Sequence, residues 1–218
     1  MLSGRFAPKP AGPLEPLSKY RKTEYFRRCR TTVHRVAAEG RDAVQFPGWP
    51  AMTIWFTAGH HFGHANILAL RGRPFSDIAE MDEALIGRWN DVVGTGDEIW
   101  HLGGFAYRCG PNYGSEVFGR LRGAAKHLVR GSHDRKHTSA LPWSSIQDYA
   151  EIRYGERTIV LFHWPLQVWH RRQHGSWALN GSSAGQVVPG SCSVDVDSWN
   201  FQPVSIEGIV LRMEASAS

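Results

Sequence analysis

Cysteine is scarce in this chain: Cys29, Cys109 and Cys192 are the whole complement. Three is an odd number, and they lie far apart, which fits neither a disulfide framework nor a clustered zinc site. A reducing, cytoplasmic setting is the expectation. Long apolar runs are also missing. No stretch reaches the roughly 18 apolar residues of a membrane-spanning helix, so no membrane partner is expected. An excess of one charge is missing from most of the chain. The formal net charge is +5, but residues 1–51 hold ten Lys/Arg against four Asp/Glu, a net of +6. Residues 52–218 hold fifteen against sixteen, a net of −1. This excludes a whole-protein electrostatic case for nucleic acid and leaves only the basic N-terminal segment as a candidate for such contact.

That segment differs from the rest of the chain. It carries Pro8, Pro10, Pro13 and Pro16, then an arginine-rich stretch from Arg21 to Arg35, and ends in Phe46-Pro47-Gly48-Trp49-Pro50. Proline at this density disfavours regular structure. Three readings stand: a disordered tail for an acidic partner, a targeting peptide, or an extension produced by an upstream start codon. The last is favoured, because Met52 opens directly into a strand pattern. The expected organisation is therefore an extension over 1–51 and one domain over 52–218.

From Met52 strands and helices alternate. Thr53–Thr57, Glu98–Leu102, Lys126–Arg130 and Thr158–Phe162 read as strands, each entering a loop rich in Gly and polar residues. Strand runs continue at Ser176–Leu179 and Ser191–Val196, before a last short helix near Ser205–Met213. Ile78, Met81, Leu85, Trp89 and Val92 recur at spacings of three and four, which predicts a helix with Ser76 as N-cap and Gly94 as its stop. The pattern is α/β, with the site expected at the strand ends.

The loops carry a resemblance. The run Ile54-Trp55-Phe56-Thr57-Ala58-Gly59-His60-His61-Phe62-Gly63-His64-Ala65-Asn66-Ile67 resembles the opening of a bacterial branch of the calcineurin-like metallophosphoesterases. So do Trp100–Ala106, Arg130-Gly131-Ser132-His133-Asp134 and Phe162-His163-Trp164-Pro165, in the same order and spacing. The resemblance implies a metallophosphoesterase-type β-sandwich of two mixed sheets flanked by helices. It also implies metal-dependent phosphoester hydrolysis by two divalent ions of the Mn, Fe or Zn type, about 3.5–4 Å apart. The family pattern is Asp-x-His, Gly-Asp, Gly-Asn-His-Asp, a lone His, then Gly-His-x-His, supplying seven ligands.

Placed on this chain, the pattern keeps two ligands, His61 and His163. The first Asp falls on Gly59, the bridging Asp on Gly104, the Asn on Ser132, and the closing histidines on Ser182 and Ala184. His133 and Asp134 stand at the catalytic positions, where the resemblance implies a histidine that assists the leaving group and an aspartate that orients it. A complete four-ligand zinc site is worth roughly 10–16 kcal/mol, so one ligand alone contributes about 3–4 kcal/mol. That corresponds to a dissociation constant near millimolar. Without the bridging carboxylate the two cations repel. The expectation is a family member with a degenerate dinuclear site, weakly active or inactive, in which no metal pair is stably bound. The losses fall on ligands while their flanks are kept, which points to selective removal of catalysis rather than uniform drift. Two alternatives are an active phosphoesterase using one metal or a site shifted onto His60, His61, His133 and His163, and a non-catalytic module binding a phosphate-containing small molecule.

Other residues carry blander expectations. His60 is expected to point away from His61, as neighbours do in extended chain. His101 packs or caps at a strand end, and Asp97 belongs to its turn. Trp164, Trp169 and Trp177 are core and rim rather than a stacking platform, and Arg171-Arg172 is a solvated pair. Asp195 and Asp197 alternate along a strand and face one side near the site.

Overall fold

Period-two burial divides the strands between two cores. In β6 (Arg157–Phe162), Ile159 and Leu161 face one apolar cluster while Val160 between them faces another. β7 (Trp177–Asn180) repeats this, with Trp177 and Leu179 on the first side and Ala178 on the second. In β2 (Glu98–His101), Trp100 turns towards the first cluster and Ile99 towards a third. Each strand is therefore covered on both faces, the condition under which parallel strands are stable. The first cluster lies between two sheets, and each fully buried Phe or Leu side chain in it contributes about 1.5–3 kcal/mol.

The structure, a computed structural model, describes residues 52–182 and 188–215. The segment 1–51 and Ala184 lie outside the described residues. One sheet has the order β4-β3-β2-β1-β9, from Ser145–Gln147, Ala125–Val129, β2, Ile54–Thr57 and Val204–Ser205. Its first four strands run parallel and β9 is antiparallel to β1. The other has the order β5-β6-β7-β8, with β5 (Tyr149–Tyr154) antiparallel to β6, and with β7 and β8 (Ser191–Ser193) parallel to it. Helices α1 (Ile67–Arg71), α2 (Ile78–Val92), α3 (Pro111–Arg120), α4 (Lys136–Ser139) and α5 (Ile206–Ala215) flank the sheets. Two mixed sheets with flanking helices are the architecture the resemblance implies. None of the described helices is long and apolar enough to cross a membrane.

Helix α2 forms where the apolar stripe places it and buries Met81, Leu85 and Trp89. Its N-cap is Asp77 rather than Ser76: Asp77 Oδ1 accepts the Glu80 N–H at 2.8 Å. Ser76 instead donates its N–H and hydroxyl to Glu80 Oε2. The helix ends at Val93, and Gly94 turns outward to donate its N–H to Asp97. Asp97 also accepts from Thr53 and Trp55, which ties the turn to the start of β1. The strand expected over Ser191–Val196 stops at Ser193, and Val196–Ser198 is a 3-10 turn.

Candidate functional site

Parallel strands deliver the motif loops to one end of the sandwich. The loops after β1 and β2 are joined by backbone hydrogen bonds, from Gly59 N–H to Gly103 O at 2.9 Å and from His61 N–H to Gly104 O at 2.8 Å. Gly181, after β7, donates to His163 O after β6 at 3.0 Å. The loop after β3 is held differently. The Asp134 carboxylate accepts the N–H groups of Gly104 at 2.7 Å, Phe105 at 2.9 Å and Gly131 at 2.8 Å. Burial raises its pKa, against the pull of those three donors. All three hydrogen bonds that the Asp134 carboxylate accepts among the described residues come from backbone, whereas His133 shares its Nδ1 with Ser132 Oγ at 3.1 Å.

His61 and His163 flank the Gly103-Gly104 turn. The His163 ring packs where a Cβ on Gly103 or Gly131 would lie, and its Nδ1 meets Leu102 O at 2.7 Å. A carbonyl only accepts, so Nδ1 carries the hydrogen. His61 lies beside Gly104. Its buried Nδ1 has no hydrogen-bond partner, and burial, with Arg73 next, pushes its pKa down to about 2. Around it runs a closed circuit of rings. His61 meets His133 at 5.3 Å between centroids, His133 meets Tyr107 at 4.7 Å, Tyr107 meets His64 at 4.7 Å, and His64 meets His61 at 5.9 Å. Burial lowers the pKa of His64 and of His133 as well, which keeps these imidazoles neutral near pH 7.

His60 turns away from this circuit. It is fully buried, its Nδ1 lies 3.0 Å from His101 Nε2, and it stacks on Phe62. His101 packs at its strand end and accepts the Gly103 N–H.

The space in front of Gly59 is filled. An ideal Cβ there would lie 2.8 Å from Asp195 Oδ1 and 2.9 Å from its Cγ. Asp195 is fully buried, and burial raises its pKa, with Asp197 adding to the rise. Arg71 Nη1 reaches Asp195 Oδ2 at 3.2 Å and Asp197 Oδ2 at 3.4 Å. Arg73, whose side chain is 1% exposed, holds Asp197 at 2.8 Å, His60 O at 2.9 Å and Gly59 O at 2.5 Å. Two arginines and two aspartates thus cancel in formal charge in front of Gly59. Asp195 and Asp197 do face the same side, although a 3-10 turn rather than a strand places them there. Nothing in the sequence marks Arg71, at the end of α1, or Arg73, in the loop after it, because their aspartate partners are distant in the chain.

These residues do not fit a metal pair. Among the described residues no three His, Cys, Asp or Glu side chains converge as a cation would require. Gly59 and Gly104 offer no carboxylate, Ser182 is buried, and Ser132 is exposed and engaged with His133. Trp169 and Trp177 are buried while Trp164 is half exposed, so the three indoles form no common platform.

No protein-family model matches the chain. Among solved structures, the protein of unknown function AQ665 from Aquifex aeolicus shares 20% identity, covers 72% of this chain and 97% of its own, and superposes with a TM-score of 0.59. That likeness shows the fold. YfcE, a phosphoesterase from E. coli, shares 16% identity over 66% of this chain and 78% of its own at a TM-score of 0.35, too low to carry an argument. The uncharacterized protein MJ1445 of Methanocaldococcus jannaschii is 26% identical over 170 residues, covering 74% of this chain and 91% of that protein. The Gene 66 protein of Mycobacterium phage L5 is 34% identical over 148 residues, covering 57% of this chain and 70% of the phage protein. At that identity and coverage, the chain belongs to the family of the Gene 66 protein of Mycobacterium phage L5.

Proposed function

We propose that this chain is a metallophosphoesterase homologue whose dinuclear centre has been dismantled, and that it hydrolyses phosphoesters very slowly or not at all. The observation that carries the reading is the Asp195 carboxylate in front of Gly59, neutralised by Arg71 in place of a metal ion. The order of the motif loops along the chain supports the metallophosphoesterase part, and the bare Gly59 and Gly104 positions support the loss. A hydrolase needs its metal ions to polarise the phosphoryl group and to supply hydroxide at neutral pH. His61 and His163 alone are a poor basis for such a centre. A site shifted onto His60, His61, His133 and His163 draws less support, because His60 is engaged with His101.

The test is metal analysis of dialysed protein, followed by a Mn²⁺-dependent assay on bis-p-nitrophenyl phosphate. Less than stoichiometric metal and turnover at the buffer rate are expected. Stoichiometric metal together with turnover would sink the reading.

A further inference from the structure

Positive charge is distributed unevenly about His133. On the His61 side, Arg71 and Arg73 are cancelled by Asp195 and Asp197. On the other side lies a cavity of about 230 Å³ that touches His133 and has no acidic residue in its lining. Arg108 and Arg135 stand at its wall, and Ala106 and Leu141 give it an apolar floor. Among the described residues neither guanidinium makes a salt bridge. Arg108 is nonetheless held in place, with its guanidinium carbon 5.1 Å from the centroid of the Tyr107 ring. Its backbone has φ of 55°, a conformation that a residue with a long side chain adopts rarely and that tends to persist at ligand sites.

Resting on the reading of a non-hydrolytic homologue, we propose that this cavity is an anion site for a small phosphomonoester. The phosphoryl group sits between Arg108, Arg135 and His133, and a compact apolar substituent lies on Ala106 and Leu141. Planar guanidinium groups suit phosphate oxygens, to which they donate paired hydrogen bonds. The volume sets the size of the ligand. It falls below the roughly 300–1,000 Å³ of common small-molecule sites and suits one phosphoryl group with a small substituent.

Calorimetric titration of the full-length protein with phenyl phosphate, inorganic phosphate and phenol, all in EDTA, tests this. Saturable 1:1 binding of phenyl phosphate is expected, with weaker binding of phosphate and none of phenol. The R108A/R135A variant, altered at two exposed side chains, is expected to bind about tenfold more weakly or worse, while Arg153→Ala, on the distant β5, binds as the unaltered protein does. Absence of saturable binding, or equal affinity in R108A/R135A, overturns the proposal. If the double variant fails to fold, Arg135→Glu takes its place, and retained affinity there overturns the proposal equally. EDTA removes any metal, so this result stands apart from the metal and turnover assays that decide the underlying reading.

Discussion

Gly59 and Asp195 compete for one volume: a side chain on Gly59 would begin 2.8 Å from the Asp195 carboxylate. Gly59 also has φ of 70°, a left-handed conformation that costs a residue with a Cβ roughly 1–2 kcal/mol. Gly59→Asp alone is therefore expected to destabilise the protein by about 2 kcal/mol or more, through that backbone cost and the repulsion of two buried carboxylates. Adding Asp195→Gly removes the clash. Urea unfolding of both single variants and the double should give a favourable coupling of about 1 kcal/mol or more. Additive effects would show that the two side chains do not share the space.

The same competition governs any attempt to build a metal centre here. Introducing Gly59→Asp, Gly104→Asp, Ser132→Asn, Ser182→His and Ala184→His leaves Asp195 and its Arg71 partner in the way. The fivefold variant is expected to retain substoichiometric metal after dialysis, and the sixfold variant that adds Asp195→Gly to retain more. Equal metal content in the two would remove Asp195 from the account.

Asp134 holds loops together. Asp134→Ala leaves the N–H groups of Gly104, Phe105 and Gly131 without their acceptor in a buried setting. Each unsatisfied donor costs about 1–3 kcal/mol, so a loss of about 3 kcal/mol or more is expected by denaturant unfolding. A loss below about 1 kcal/mol would mean that water replaces the carboxylate at little expense.

Acid should unfold the protein through its buried imidazoles. Burial lowers the pKa of His101 to about 3 and that of His127 to about 4, while the unfolded side chains titrate near 6.5. Between those values the unfolded state binds more protons, so stability rises with pH and falls as pH drops below about 6.5. Each such histidine contributes a slope of about 1.4 kcal/mol per pH unit in that window. His101→Gln, which can still pair with His60 and Gly103, should reduce the slope by about that amount. An unchanged slope would place the proton uptake elsewhere.

Much of the fold is legible in the chain because local patterns agree with it. The spacing in α2 needs no tertiary information, and the strands over 54–57, 98–101 and 157–162 fall close to their expected bounds. Helix α3 is hidden from such patterns because Gly114 and Gly119 each lower helix propensity by about 1 kcal/mol relative to Ala. Burial of Val117 and Phe118 outweighs them. The cap of α2 differs by one residue from its expected place because Ser76 and Asp77 are both good caps, and only the backbone direction chooses between them.

The sequence by itself determined that the loops after the first strands carry Gly59, Gly104 and Ser132 where a carboxylate or amide side chain could otherwise stand, since residue types are read directly from the chain. Only the tertiary structure decided what fills the gap. Asp195 reaches Gly59 because Ala58 and Asp195 pair as a bridge across the sandwich, and Arg71 and Arg73 join them because the buried Asp195 carboxylate, with half-buried Asp197 beside it, requires neutralising charge. His60 and His61 are adjacent in the chain, yet one belongs to the core and the other to the cleft. The loop after β1 separates the two side chains, with His61 in a left-handed conformation at φ of 53°, and no inspection of residue types alone assigns their sides.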